Sequence, residues 1–127
     1  MKLHLHAEHG QNTITGHGPG YVDLSGQRIT SPLVVAAQTL IAPWVVPSIE
    51  KLVFDDFAAV IALRPSLVIF GSGATFRFPD TKILAAFSQA RIGFDVMDTG
   101  AACRTYNVLL SEGRNVAAAL LVSGSSD

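Results

Sequence analysis

The chain has 127 residues, 49% apolar and 15% charged, with a formal net charge of −1, which fits one ordered domain and excludes a disordered chain. Its nine Lys and Arg residues are scattered, which makes nucleic acid a poor candidate for the main partner and leaves room only for a small local groove, because phosphate binding needs a cluster of basic side chains. The one cysteine, Cys103, excludes an internal disulfide and a cysteine-rich zinc site.

The N-terminal residues MKLHLHAEHG lack the long apolar core of a signal peptide. No apolar run in the chain reaches the roughly 18 residues of a transmembrane helix. We therefore predict a cytoplasmic protein without membrane insertion. His4 and His6 would share one face of a strand, with Glu8 beyond them, a spacing that suits metal ligands. Surface histidines are the favoured interpretation, and we predict no metal site and no cofactor.

The first half of the chain is predicted to be mainly strand and turn, because short β-branched or alternating runs are separated there by glycine, proline and polar residues. The predicted elements are a strand over 12–15, a loop at 17–20, a hairpin of strands 21–24 and 28–30 around Ser25 and Gly26, one longer strand over 33–42, and a short helix over 55–65. Pro43 is expected to end the long strand, and Pro65 the helix.

The second half alternates strand and helix more clearly. The predicted elements are a buried strand over 66–70, a helix over 80–92, a strand over 94–98, a helix over 99–113 and a strand over 115–122. This β-α-β-α-β order gives parallel strands joined by right-handed crossovers. We therefore predict an α/β, three-layer domain over 1–122, with a central mixed sheet and an N-terminal β-hairpin layer that lies at an edge or forms a small extra sheet. A polar, mobile tail is predicted over 123–127.

Two loops of the C-terminal unit are predicted to meet at one edge of the sheet, where ligands bind in open α/β folds. One loop follows strand 66–70, and the other runs from strand 94–98 directly into a helix whose positive N-terminus could receive an anion. The predicted ligand-binding residues are Gly71, Ser72, Gly73, Asp98, Thr99, Gly100, Cys103 and Asn107. Helical spacing places Cys103 and Asn107 on one side, above Thr99.

These residues also have a purely structural interpretation. The Gly-Ser-Gly run lacks the third glycine of a dinucleotide fingerprint and the Gly-Lys-Ser/Thr ending of a P-loop, so tight turning is favoured over phosphate binding. Thr99 fits a helix cap. Cys103 fits a small core residue, and no histidine lies nearby in sequence to act as its base. We predict no catalytic residue; whether the chain is an enzyme stays open, with a non-enzyme favoured.

The run DVMDTGAACRTYNVLLSEGRNVAAALLV over 95–122, together with IFGSG and the segment around Trp44, resembles a small single-domain family of uncharacterised function. Its members include a mitochondrial assembly factor of respiratory complex I and an adipogenesis-associated protein. The family motif falls on Gly71, Gly73, Asp98, Thr99, Cys103, Thr105, Tyr106, Asn107, Glu112 and Arg114. Ser72 stands where a threonine is common. The resemblance implies a three-layer α/β fold with an added β-layer. It implies no catalytic residue for this chain.

Two functions from different classes follow. The first is an accessory or assembly protein that binds another protein, linked to respiratory complex I; it predicts an exposed apolar patch. The second is a protein or enzyme that binds a small anionic molecule between the Gly-Ser-Gly loop and the helix start at Thr99. It predicts a concave pocket between the two loops. The first is preferred, because no catalytic constellation accompanies the family motif.

Overall fold

The computed structural model describes the backbone of residues 3–5 and the whole of residues 10–122. The strands of this part are β1 (Leu3–Leu5), β2 (Ile14–Gly18), β3 (Tyr21–Leu24), β4 (Gln27–Ile29), β5 (Leu33–Ala36), β6 (Thr39–Ala42), β7 (Leu67–Gly71), β8 (Gly93–Met97) and β9 (Val116–Leu120). The helices are α1 (Ala58–Ile61), α2 (Thr81–Gln89) and α3 (Thr99–Ser111), with 3₁₀ helices at Ile49–Lys51 and Phe54–Phe57. The side chain of His4, residues His6 and Glu8, and the predicted tail lie outside the described residues.

The central sheet is mixed, as predicted, with the strand order β1-β6-β5-β9-β7-β8. Strand β7 lies between β9 and β8 and is parallel to both. Strand β9 also pairs with β5 in the antiparallel direction. The predicted β-α-β-α-β unit is therefore confirmed, and the carboxyl ends of β7, β8 and β9 lie at one edge of the sheet.

The N-terminal hairpin forms a separate three-stranded sheet of β2, β3 and β4, which confirms the second of the two predicted placements. Its tight turn uses Ser25 and Gly26, with φ angles of 53° and 73°, because a two-residue hairpin turn with left-handed residues matches the twist of the strands. The predicted boundaries of the first strand and the following loop are wrong. Strand β2 runs through to Gly18, where it pairs with Tyr21.

The single long strand predicted over 33–42 is also wrong. The segment is a tight hairpin in which β5 and β6 pair with each other, and Ala36 faces Thr39 across the turn residues Ala37 and Gln38. These two residues carry none of the glycine or asparagine signals that mark a hairpin turn in sequence. Both strands are apolar because both are covered on each face, so no change of pattern marks the turn.

The helix predicted over 55–65 is shorter and partly 3₁₀. The chain forms the 3₁₀ turn Phe54–Phe57 and continues into α1, which ends at Ile61. The carboxylate of Asp56 accepts a hydrogen bond from the Val53 N–H at 2.9 Å. Tertiary contact supports the tight turn, because the indole N–H of Trp44 donates to the Asp56 carbonyl oxygen at 3.0 Å.

Two hydrophobic cores lie on opposite faces of the central sheet. One core packs the sheet against α3 and the small sheet, with Tyr106 as its largest fully buried side chain. The other packs the sheet against α1, α2 and the segment around Trp44, and it centres on Phe57. Successive residues of β9 alternate between the two cores. The central sheet is thus covered on both faces, which gives the predicted three layers.

Candidate functional site

The Gly-Ser-Gly loop and the start of α3 meet directly at the carboxyl edge of the parallel strands. The Gly73 N–H donates to the Thr99 hydroxyl oxygen at 2.9 Å, and the Thr99 N–H donates to the Gly73 carbonyl at 2.9 Å. The Thr99 hydroxyl in turn donates to the Leu121 carbonyl at 2.7 Å. One threonine therefore links the ends of β7, β9 and α3.

The structure of the junction requires both glycines of this loop, Gly71 because of close packing and Gly73 because of its backbone conformation. A Cβ atom at Gly71 would lie 2.8 Å from the Thr99 hydroxyl oxygen and 2.9 Å from a methyl carbon of Leu120, which is too close for any side chain. Gly73 has a φ of 107°, a conformation that residues with a side chain rarely adopt. The structure thus assigns tight turning and close approach to Gly71 and Gly73.

The start of α3 is capped by its own residues. The Asp98 carboxylate accepts a hydrogen bond from the Ala101 N–H at 2.9 Å, as an N-cap residue does. Gly100 follows in the first turn, where an added Cβ would lie 3.3 Å from the His17 ring and 3.5 Å from the Arg104 guanidinium. The helix start therefore faces the small sheet at close range.

The family residues on the body of α3 hold the small sheet in place. The side chain of Asn107 accepts from the Ile14 N–H at 3.0 Å and donates to the Ile14 carbonyl at 2.7 Å, which imitates the pairing of a neighbouring strand. The Tyr106 hydroxyl donates to the Asn12 carbonyl at 2.8 Å. Asn12 also donates through its side chain to the Ala36 carbonyl of β5 at 3.1 Å. These bonds tie α3, the small sheet and the central sheet together.

Cys103, on the same helix, is fully buried in the core. Burial raises the pKa of its thiol to about 12, because the charged thiolate is poorly solvated there. The thiolate is the reactive form of cysteine. The geometry therefore gives Cys103 the properties of a packing residue.

We expect the Cys103 thiol of the folded chain to resist iodoacetamide at pH 8, because burial suppresses both access and ionisation. Labelling is followed by mass spectrometry with and without concentrated guanidinium chloride, which should expose the thiol. The matched control is Ser88→Cys, which places a thiol at an exposed position of α2. Equal labelling rates at Cys103 and at the control position would contradict the assignment.

Ser72 shapes the segment that follows β7. Its side chain is buried, its hydroxyl donates to the Thr75 carbonyl at 2.7 Å, and its hydroxyl oxygen accepts from the Arg77 N–H at 3.0 Å. These two bonds fold residues 72–77 into a compact turn before Pro79. Ser72 thus connects the junction at Thr99 to the exposed segment 74–78.

A cleft of about 540 Å³ opens on this outer side of the Gly-Ser-Gly loop. Its walls come from the segments 46–50 and 72–77, and Pro32, Leu121 and Val122 complete the lining. An ion pair between Arg77 and Glu50 joins the two walls. The Arg77 guanidinium lowers the pKa of the Glu50 carboxyl to about 2, so the pair is charged at neutral pH. Among the predicted site residues, Ser72 is the one that lines this cleft.

Exposed hydrophobic side chains concentrate beside the cleft. We call the segments 45–55 and 72–83 the two-loop surface. Among the described residues, four of the five large hydrophobic side chains that are exposed belong to it: Val45 (79%), Val53 (56%), Phe76 (55%) and Phe78 (62%). The fifth is Val108 (56%), on α3. The rings of Phe76 and Phe78 contact each other edge to face at 4.9 Å. This surface is the strongest candidate for contact with a partner.

Sequence reasoning missed Phe76, Arg77 and Phe78. The sequence does contain a feature that indicates them, the run FRF in a predicted loop. Its two aromatic residues follow a strand and belong to neither a helical nor a strand pattern. Aromatic residues and arginine are enriched where proteins bind one another. The sequence does not show which way these side chains face, because a loop has no repeating geometry.

None of the helices within residues 3–5 and 10–122 combines the length and the apolar character needed to cross a membrane. The longest of them, α3, has 13 residues.

Comparison with known proteins places the chain among related sequences. The family model described as "Protein of unknown function (DUF498/DUF598)" matches residues 14–121. An uncharacterised protein of Rhodobacter capsulatus is 35% identical over 88% of this chain and 86% of its own length. The mouse "NADH dehydrogenase [ubiquinone] 1 alpha subcomplex assembly factor 3" is 33% identical over 77% of this chain, which spans 54% of that protein.

A solved structure shares the fold. The solution structure of a Bordetella pertussis protein, described as a Mth938-like domain, covers 98% of this chain and 94% of its own, with a TM-score of 0.78 and 26% identity. The chain spans about half the length of the matched assembly factor.

Proposed function

Because the chain belongs to the DUF498/DUF598 family of proteins of unknown function, we propose that it is an accessory protein that binds another protein during the assembly of respiratory complex I. The observation that carries this function is the similarity to the mouse complex I assembly factor, at 33% identity over 77% of the chain. The match spans 54% of that factor, so the shared part is the domain described here. A catalytic step is not part of the proposed function.

The two-loop surface supplies the contact region. Phe76 and Phe78 present paired aromatic rings to solvent, and exposed apolar surface of this kind is typical of a site that a partner covers. Arg77, between them in sequence, is held by Glu50 on the opposite wall of the cleft. The hydrogen bonds of Ser72 to Thr75 and Arg77 hold the turn that carries Phe76, so less conformational freedom is lost when a partner binds.

Deletion of the gene in the source organism is expected to reduce assembled complex I, measured on native gels, and NADH:ubiquinone oxidoreductase activity in membranes. Wild-type protein should restore both, and the double variant F76S/F78S should not, because it removes the exposed aromatic pair. Val108→Ser is the matched control, since it removes an equally exposed apolar side chain from α3. It should restore both measurements.

Two outcomes of this experiment contradict different parts of the proposed function. Full complex I activity in the deletion strain would contradict the proposed role in complex I assembly. Complete restoration of complex I by F76S/F78S would contradict the assignment of the two-loop surface as the contact region. Thermal unfolding of each purified variant separates loss of contact from loss of folding.

A second candidate function is the binding of a small anionic molecule in the cleft next to Ser72. The favouring observation is the cleft itself, about 540 Å³ in volume, in which an anion would replace the Glu50 carboxylate as the partner of the Arg77 guanidinium. A ligand present at 100 times its Kd would stabilise the folded chain by roughly 2.7 kcal/mol. Thermal unfolding with phosphates, nucleotides and organic acids checks this function, and unchanged midpoints with all of them would count against it.

A further inference from the structure

Strand β8 ends the central sheet, and within residues 3–5 and 10–122 it pairs with β7 alone. The hydrogen bonds at its ends define which of its backbone groups are used. The Gly93 N–H donates to the Ser66 carbonyl at 2.9 Å, and the Met97 carbonyl accepts from the Ser72 N–H at 2.8 Å. Backbone groups alternate in direction along a strand. The backbone N–H and C=O groups of Gly93, Asp95 and Met97 therefore face β7. Those of Phe94 and Val96 face outward.

The outward groups are held in fixed positions by the core. The Phe94 ring stacks on the Phe87 ring with centroids 4.3 Å apart and planes at 9°, and it also stacks on Phe70 at 5.8 Å. Val96 packs in the same core. Backbone donors and acceptors that are held rigidly and have no strand partner among the described residues form a template for an added strand.

Asp95 lies at the middle of this edge and is exposed. A second copy of the chain could use all four outward groups only in antiparallel register, with Phe94 opposite Val96 and Asp95 opposite Asp95. That central pair is of the non-hydrogen-bonded kind, in which side chains approach most closely. Like charges directly opposite each other destabilise such a pair. Asp95 therefore opposes pairing between two copies.

We propose that the β8 edge binds an extended segment of a partner protein as an added strand, and that Asp95 selects a segment with a lysine or arginine opposite it. The charge that excludes a second copy is complementary to such a basic residue. The backbone groups of Phe94 and Val96 bind the segment, and Asp95 sets its register. This docking role rests on the proposed function only in that the occupant is a protein, and it uses a surface distinct from the two-loop surface.

Amide NMR spectra of the ¹⁵N-labelled chain test the docking role with two synthetic peptides, Thr-Val-Thr-Lys-Thr-Val-Thr and the same peptide with glutamate at the centre. The lysine peptide should shift the amide signals of Phe94 and Val96 and bind about two- to tenfold more tightly than the glutamate peptide. The variant Asp95→Lys should reverse this preference. No shift at Phe94 and Val96 at millimolar peptide, or a preference unchanged by the charge reversal, would overturn the inference.

Sedimentation of the chain without peptide tests the exclusion of a second copy. The wild type should be monomeric, and Asp95→Val should show a dimer at high concentration, because it removes the repulsion and adds a strand-forming side chain. Glu112→Val, at an exposed position at the C-terminal end of α3 and outside the two-loop surface, is the matched control and should stay monomeric. A wild-type dimer that β8 holds together would overturn the role of Asp95. Neither readout depends on complex I, so failure here and failure of the proposed function are distinguishable.

Discussion

The variant Phe57→Ala is expected to lower the free energy of unfolding by about 3–5 kcal/mol, the usual loss for a buried phenylalanine. Phe57 is completely buried. Its ring meets four others edge to face, with centroid distances of 5.3 Å to Trp44, 5.7 Å to Phe70, 5.3 Å to Phe87 and 5.6 Å to Phe94. These rings come from the segment after β6, from β7, from α2 and from β8, so a cavity here would weaken contacts between four parts of the fold.

Urea unfolding followed by circular dichroism measures this loss. The control Phe78→Ala removes a ring that is 62% exposed and should change stability by less than about 0.5 kcal/mol. Because small domains are stable by only about 5–15 kcal/mol, Phe57→Leu provides a milder variant whose loss should lie between the two. A loss below about 1 kcal/mol for Phe57→Ala would show that the aromatic core closes around the cavity.

The variant Thr99→Val is expected to lower the free energy of unfolding by about 2–4 kcal/mol. Valine keeps the shape of threonine but removes the hydroxyl that accepts from the Gly73 N–H and donates to the Leu121 carbonyl. Each buried polar group that loses its partner costs about 1–3 kcal/mol. Faster hydrogen exchange at the Gly73 amide should accompany the loss, because that amide loses its acceptor.

Two further variants isolate the hydroxyl. Thr99→Ser keeps both hydrogen bonds and should retain most of the stability. Thr81→Val makes the same chemical change at an exposed position at the start of α2 and should have little effect. Equal losses for Thr99→Ser and Thr99→Val would mean that the methyl group, and not the hydroxyl, stabilises the junction between β7, β9 and α3.

The C-terminal family motif is explained largely by contacts within the fold. Thr99 joins three elements, Tyr106 binds the Asn12 carbonyl, and Asn107 completes the edge of β2. Residues of this kind are visible in the sequence because their types and spacing are specific. Their roles are not visible there, because each bonds to a residue at least 20 positions away.

The sequence by itself determined the parallel β-α-β-α-β unit, since β7, α2, β8, α3 and β9 each carry a strong local pattern with clear ends. It also indicated that the Gly-Ser-Gly loop and the start of α3 share one edge, because parallel strands end on the same side of a sheet. It did not reveal the turn at Ala37 and Gln38. A strand that is covered on both faces is apolar throughout, and two such strands in sequence look like one.

Only the tertiary structure decided how the candidate site is arranged. Hydrogen bonds at 2.9 Å between Gly73 and Thr99 join the two predicted loops directly, and the open cleft lies on the other side of Ser72. The tertiary structure also decided the exposure of Phe76 and Phe78, and it placed Asp95 on a strand that, within residues 3–5 and 10–122, is paired on one side only. Both depend on which elements happen to cover a residue in space, and local patterns of residue type carry no information about that.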